Sequence, residues 1–101
     1  MEGLMTITKN IDGKTATLFV EGRVDTNTSE EFENEILQLE NLSKLIVDFE
    51  KVDYISSAGL RVLLNAHKKF AAKEGLTVKN VCSQVMEIFD ITGFKDVLDI
   101  K

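Results

Sequence analysis

The apolar positions change period several times along the chain, and each change marks an element. Met5 to Thr8 and Thr15 to Glu21 are short runs of β type. In the second, Ala16, Leu18 and Val20 fall on one face, with Thr15, Thr17 and Phe19 on the other. Asn10-Ile11-Asp12-Gly13 lies between them, and its Asp-Gly pair predicts a hairpin, because glycine tolerates the positive φ of the turn. From Thr28 the period lengthens. Phe32, Ile36 and Leu39 recur at i, i+4 and i+7 as the stripe of an amphipathic helix, and Thr28 and Glu31 have capping-box spacing. Glu30, Glu31 and Glu33 suit the positive end of that helix's dipole, and read as a solvated face, not a metal site. Leu45-Ile46-Val47-Asp48-Phe49 is a nearly continuous apolar run, which predicts a central strand covered on both faces.

A second helix is predicted from Ser57 to about Lys73, with Leu60, Leu63, Leu64, His67 and Ala71 along one side and Gly75 ending it. Leu76 to Val81 is the next strand. Ser83 begins a third helix carrying Val85, Met86 and Phe89, stopped by Gly93. Val97 to Ile100 reads as a last edge strand or a helical turn. The order β-β-α-β-α-β-α predicts one α/β domain: a mixed sheet of four to five strands with helices laid on it by right-handed crossovers.

Composition narrows the function. The 101 residues, 44% of them hydrophobic, suffice for one domain with a real core, and no repeat or linker divides them. A net charge of −5 argues against nucleic acid as a direct partner and against an anionic membrane surface. No apolar run approaches the ~18 residues of a transmembrane helix, and the opening Met-Glu-Gly-Leu-Met lacks the charged start of a signal peptide. The single cysteine, Cys82, leaves no internal disulfide framework and fits a reducing cytosol, so a cytoplasmic protein is expected. One histidine and one cysteine cannot assemble a Cys/His zinc site. His67 and Cys82 both read as packing residues, and no local motif supports a nucleophilic pair between them. Asp48 and Asp53 flank the central strand's end, which alone does not specify acid catalysis. The scattered glycines form no phosphate-cradling loop. The expectation is a protein without cofactor or metal, and not an enzyme.

One segment exceeds structural need: Asp53-Tyr54-Ile55-Ser56-Ser57-Ala58-Gly59-Leu60-Arg61, after the central strand and opening the second helix. A serine there has an ordinary explanation as a cap worth about 1 kcal/mol. Gly59 does not, since glycine within a helix costs about 0.8–1.0 kcal/mol against alanine. It implies a close backbone approach, either inside the fold or by a partner.

The stretch Tyr54-Ile55-Ser56-Ser57-Ala58-Gly59-Leu60 resembles the signature of STAS domains, in particular the bacterial anti-sigma factor antagonists. Gly22-Arg23-Val24-Asp25 and Ile91-Thr92-Gly93-Phe94 resemble two further patterns of that family, in the same order, so the resemblance covers essentially the whole chain. It implies that a serine at the helix start is phosphorylated by a partner that is both anti-sigma factor and serine protein kinase, of GHKL type. That serine is Ser57, with Ser56 the second choice. Many relatives carry aspartate where this chain has Ser56, and serine or threonine where it has Ala58. Asp25 matches an aspartate near the acceptor, implying a hydrogen bond to its hydroxyl. The docking surface so implied comprises Asp25, Thr26, Asn27, Ser56, Ser57, Ala58, Gly59 and Arg61. A PP2C-type phosphatase would reset the switch, and the effect on transcription would be indirect. Two other readings remain open: a phosphorylation-independent STAS adaptor or small-ligand-binding module, and a serine-dependent enzyme, for which the sequence offers no patterned histidine.

Overall fold

A computed structural model describes residues 5–101, so the first four residues, including Gly3 and most of the opening read for a leader, lie outside it. The hairpin forms at the Asp-Gly pair. Strands β1 (Thr6–Asp12) and β2 (Thr15–Val24) are antiparallel, and Gly13, at φ +63°, takes the first position of the two-residue loop. Both strands outrun the predicted spans, because the ladder continues to the turn itself, where Asp12 pairs with Thr15.

Next come α1 (Ser29–Leu37), β3 (Lys44–Ile55), α2 (Ser57–Ala71), β4 (Gly75–Lys79) and α3 (Ser83–Thr92). A single 3₁₀ turn (Phe94–Asp96) and the two-residue strand β5 (Asp99–Ile100) follow, so the tail is both a helical turn and an edge strand. The sheet is five-stranded and mixed, in the order β1-β2-β3-β4-β5, with every pair after the first parallel. The predicted fold class and element order are those observed.

One face of the sheet carries the core. Leu18, Val47 and Val78 stand in register across β2, β3 and β4, fully or almost fully buried. Phe32 of α1, Phe70 of α2 and Phe89 of α3 close over the same cluster. The other face carries Thr8, Phe19, Asp48 and Lys79 in register, and Phe19 is 44% exposed. The expectation of a central strand buried on both faces is therefore wrong. Ile46 is only half-buried, between Thr17 and Thr77 in register, and Asp48 is buried because its carboxylate accepts from Glu50 N and Asn80 Nδ2. On the same face Lys44 Nζ donates to Thr77 Oγ1 (2.8 Å), which donates to Asp99 Oδ2 (2.7 Å), tying β5 to the sheet.

Two features differ from the predicted pattern and position the site. The buried arc of α2 runs through Leu60, Val62, Leu63, Ala66 and Phe70, while Leu64 and His67 are half-buried and Ala71 is exposed. This helix faces α1 as well as the sheet, which turns its apolar face away from the predicted stripe. It also ends at Ala71, with Ala72 as C-cap, and Gly75 opens β4 instead. The second feature is in β3, which continues to Ile55 and contributes an extra residue against β2 twice. These two bulges let Phe49, Val52 and Ile55, three residues apart, all face the core.

Candidate functional site

The ends of β2 and β3 and the start of α2 meet at one edge of the molecule. Val24 pairs with Ile55, and Ser56 N donates to the Val24 carbonyl at 2.8 Å, so the turn that begins at Asp25 and the start of α2 both follow directly from paired strand ends. Ser56 is extended (φ −90°, ψ 174°) and caps α2, its Oγ accepting from Gly59 N at 3.2 Å. It is 9% exposed. Ser57, one residue on, is the first residue of the helix and is exposed, at the positive end of the helix dipole.

Gly59 is explained inside the fold. A Cβ there would lie 2.7 Å from Val24 Cγ1, 2.8 Å from Ile55 Cγ1 and 3.1 Å from the Val24 carbonyl. Only a residue without a side chain lets the first turn of α2 settle this closely onto the paired strand ends.

Asp25 has a local task. Its Oδ1 accepts from Asn27 N and Thr28 N, each at 3.0 Å, which caps the turn leading into α1. Thr28 Oγ1 accepts from Asp25 N (2.9 Å) and donates to the Arg23 carbonyl (2.6 Å). Thr28 is the N-cap residue of α1, but its side chain makes no capping bond, so the predicted Thr28–Glu31 capping box does not form. Nor does the expected bond from the Ser57 hydroxyl to Asp25: among the described residues the Asp25 carboxylate accepts only from its own turn.

The Thr28 backbone N–H, aided by the Thr28 hydroxyl, Asn27 N–H and the Arg23 charge, holds the Asp25 carboxyl below its ordinary value of 3.8. A carboxyl with a lowered folded-state value stabilises the fold above its unfolded value, and that contribution disappears as pH falls through the folded one. The protein should therefore lose stability on acidification below 3.8, and Asp25→Asn should show a smaller loss. Asp99, lowered chiefly by the Thr77 hydroxyl, acts in the same direction and remains in the variant. Thermal melts across that range check this; identical acid profiles would contradict it.

Of the other candidate residues, Thr26, Asn27 and Arg61 are exposed, Ala58 is half-buried and Gly59 is buried. Ala58 and Arg61 line a groove between α1 and α2, opposite Ser29, Glu30 and Glu33. A larger depression, about 330 Å³, lies elsewhere, on the open sheet face around Phe19, Asp48 and Glu50. Sequence reasoning missed the stack of the Arg23 guanidinium on the Tyr54 ring, 4.4 Å from its centroid. The two residues pair across β2 and β3 only because of the second bulge.

His67 and Cys82 do not join the site. His67 lies ten residues beyond Ser57 on α2, about 15 Å away at the helical rise, and its buried Nδ1 has no hydrogen-bond partner among the described residues. Cys82 is half-buried, not fully buried as expected, and its thiol donates to the Val52 carbonyl.

Comparison with known proteins agrees with this fold. The STAS domain family matches residues 6–101. The anti-sigma-B factor antagonist of Listeria monocytogenes is 29% identical over 87 residues, covering 83% of this chain and 76% of that one. The crystal structure of an anti-sigma factor antagonist from Mycobacterium paratuberculosis superposes with a TM-score of 0.88 at 19% identity, covering 99% of this chain and 87% of the other. The Bacillus cell fate determinant SpoIIAA, in its phosphorylated form, superposes with a TM-score of 0.73 at 16% identity, covering 95% and 91%. With its element order, the segment at Ser57 and a match over nearly its whole length, the chain belongs to the STAS domain family.

Proposed function

We propose that this protein is an anti-sigma factor antagonist that works by partner switching, with Ser57 as the switch. The observation that carries the reading is the division of labour between adjacent serines: Ser56 is buried and occupied as the cap of α2, whereas Ser57 is exposed and its hydroxyl makes no hydrogen bond among the described residues. Its relatives, which include anti-sigma factor antagonists and a SpoIIAA in phosphorylated form, support the same role.

Unphosphorylated, the Asp25–Asn27 turn and the start of α2 form the surface that binds an anti-sigma factor with serine kinase activity, of GHKL type. That binding releases the kinase's other client, a sigma factor, so transcription changes without contact to DNA. Transfer of the γ-phosphoryl of ATP to Ser57 Oγ then adds a charge of about −1.5 to −2 at the contact. The helix start accommodates the phosphate, and the interface does not. A PP2C-type phosphatase restores the hydroxyl. Among the described residues no helix is long and apolar enough to cross a membrane, and the single half-buried thiol suits the reducing cytoplasm where such a switch would act.

Incubation with the cognate kinase and ATP tests the reading. Ser57→Ala should take up no phosphate yet still bind the kinase, and Ser56→Ala should remain a substrate. Phosphorylation of Ser57→Ala to the wild-type extent would overturn the assignment.

A further inference from the structure

Arg61 lies four residues after Ser57 on α2, one turn along the helix, and both side chains are exposed. Residues at this spacing are neighbours on a helix surface, and an acidic group placed N-terminal to its basic partner is the better orientation. The chain has two arginines. Arg23 is committed to the Tyr54 ring, whereas Arg61 is uncommitted: among the described residues the one ion pair joins Lys101 to Asp99. Across the groove from Arg61 stand Glu30 and Glu33 of α1, which attract it without forming an ion pair.

We propose that Arg61 is the internal receptor for the phosphate on Ser57, leaving the edge of the α1–α2 groove to pair with it. This rests on the reading of Ser57 as the acceptor and adds a second half to the switch. A phosphate dianion offers a guanidinium two acceptor oxygens in fork geometry, which neither glutamate across the groove matches in charge. Phosphorylation then does two things at the docking surface. It adds negative charge at Ser57 and withdraws the one free guanidinium beside it, so Arg61 reports the state of its neighbour to the partner. The free N–H groups of the first turn act on the phosphate in every variant, so the contribution of Arg61 is measurable as a difference.

The test installs phosphoserine at position 57 during translation, without any kinase, and follows the second ionisation of the phosphate by ³¹P NMR. With Arg61 present that ionisation should lie lower than in Arg61→Gln by roughly half a unit, the scale of a helical ion pair with a dianion. Arg61→Lys should retain part of the difference, and high salt should shrink it. Superimposable titrations of the wild-type and Arg61→Gln proteins would overturn the proposal. Because the phosphate is placed without a kinase, this failure is separate from the failure of Ser57 as a substrate, which the Ser57→Ala experiment reads.

Discussion

Phosphorylated at Ser57, the protein should bind its kinase partner about a thousandfold more weakly than the unmodified form. Like charges brought together across an interface cost several kcal/mol, and each 1.4 kcal/mol is a factor of about ten. The Asp25 carboxylate stays ionised beside this surface because its own turn holds its proton affinity down, so the phosphate adds to an existing negative charge. Complete inversion of a two-state occupancy takes a factor of about ten thousand, so under the proposed partner switching the remainder would have to come from competition by the kinase's second client. Calorimetric titration of the two forms against the kinase measures the ratio. A loss of less than tenfold would contradict a switch driven by charge at this serine. The amide spectrum of the free protein should change only around Ser57 and Arg61, because the helix start receives the phosphate without a backbone rearrangement.

The second large effect concerns Gly59. Alanine is the better helix former by about 0.8–1.0 kcal/mol, yet Gly59→Ala should destabilise the protein. The new methyl would fall 2.7 Å from Val24 Cγ1 and 2.8 Å from Ile55 Cγ1, both side chains of fully or almost fully buried residues. Overpacking of this kind costs about 1–3 kcal/mol, and the Val24 carbonyl at 3.1 Å cannot move without breaking its bond from Ser56 N. Gly59→Val, with a branch at the point of contact, should cost more than Gly59→Ala. Urea denaturation should show Val24→Ala partly rescuing Gly59→Ala, since the two residues compete for the same space. A stabilised Gly59→Ala would mean that the close approach is not a constraint. The same contact would link stability to the proposed switch, because it seats the first turn of α2 and hence Ser57.

Much of this was legible in the chain. The alternation of Ala16, Leu18 and Val20, and the stop at Gly93, survive into the structure because each depends on neighbours in sequence. The segment around Ser57 stood out for the same reason, since a glycine in a first helical turn is a local anomaly. What stayed hidden depends on pairing between distant residues. Beyond Phe49 the apolar residues Val52 and Ile55 come at intervals of three, a spacing that reads as neither strand nor helix until two bulges are placed opposite β2. The stack of Arg23 on Tyr54 follows from that displaced register. The family resemblance points Asp25 outward, toward a hydroxyl, whereas the N–H groups of Asn27 and Thr28 lie closer along the chain and claim its carboxylate first. The arc of α2 misread at His67 and Ala71 turned on the presence of α1, which periodicity within one helix does not reveal.

The bulged half of β3 makes the address of Ser57 a matter of counting. Side chains alternate along a strand, so each extra residue exchanges inside for outside, and two of them restore the original parity at Ile55. Removing Asp53 alone would bring the following residues round by one face, offering the Ile55 side chain to solvent and driving a serine toward the core. Substitutions between Glu50 and Tyr54 leave that arithmetic intact. A single insertion or deletion there would displace Ser57 from its exposed place at the start of α2 although Ser56, Ser57 and Gly59 were all retained, so in this stretch spacing, more than composition, is what the proposed function requires.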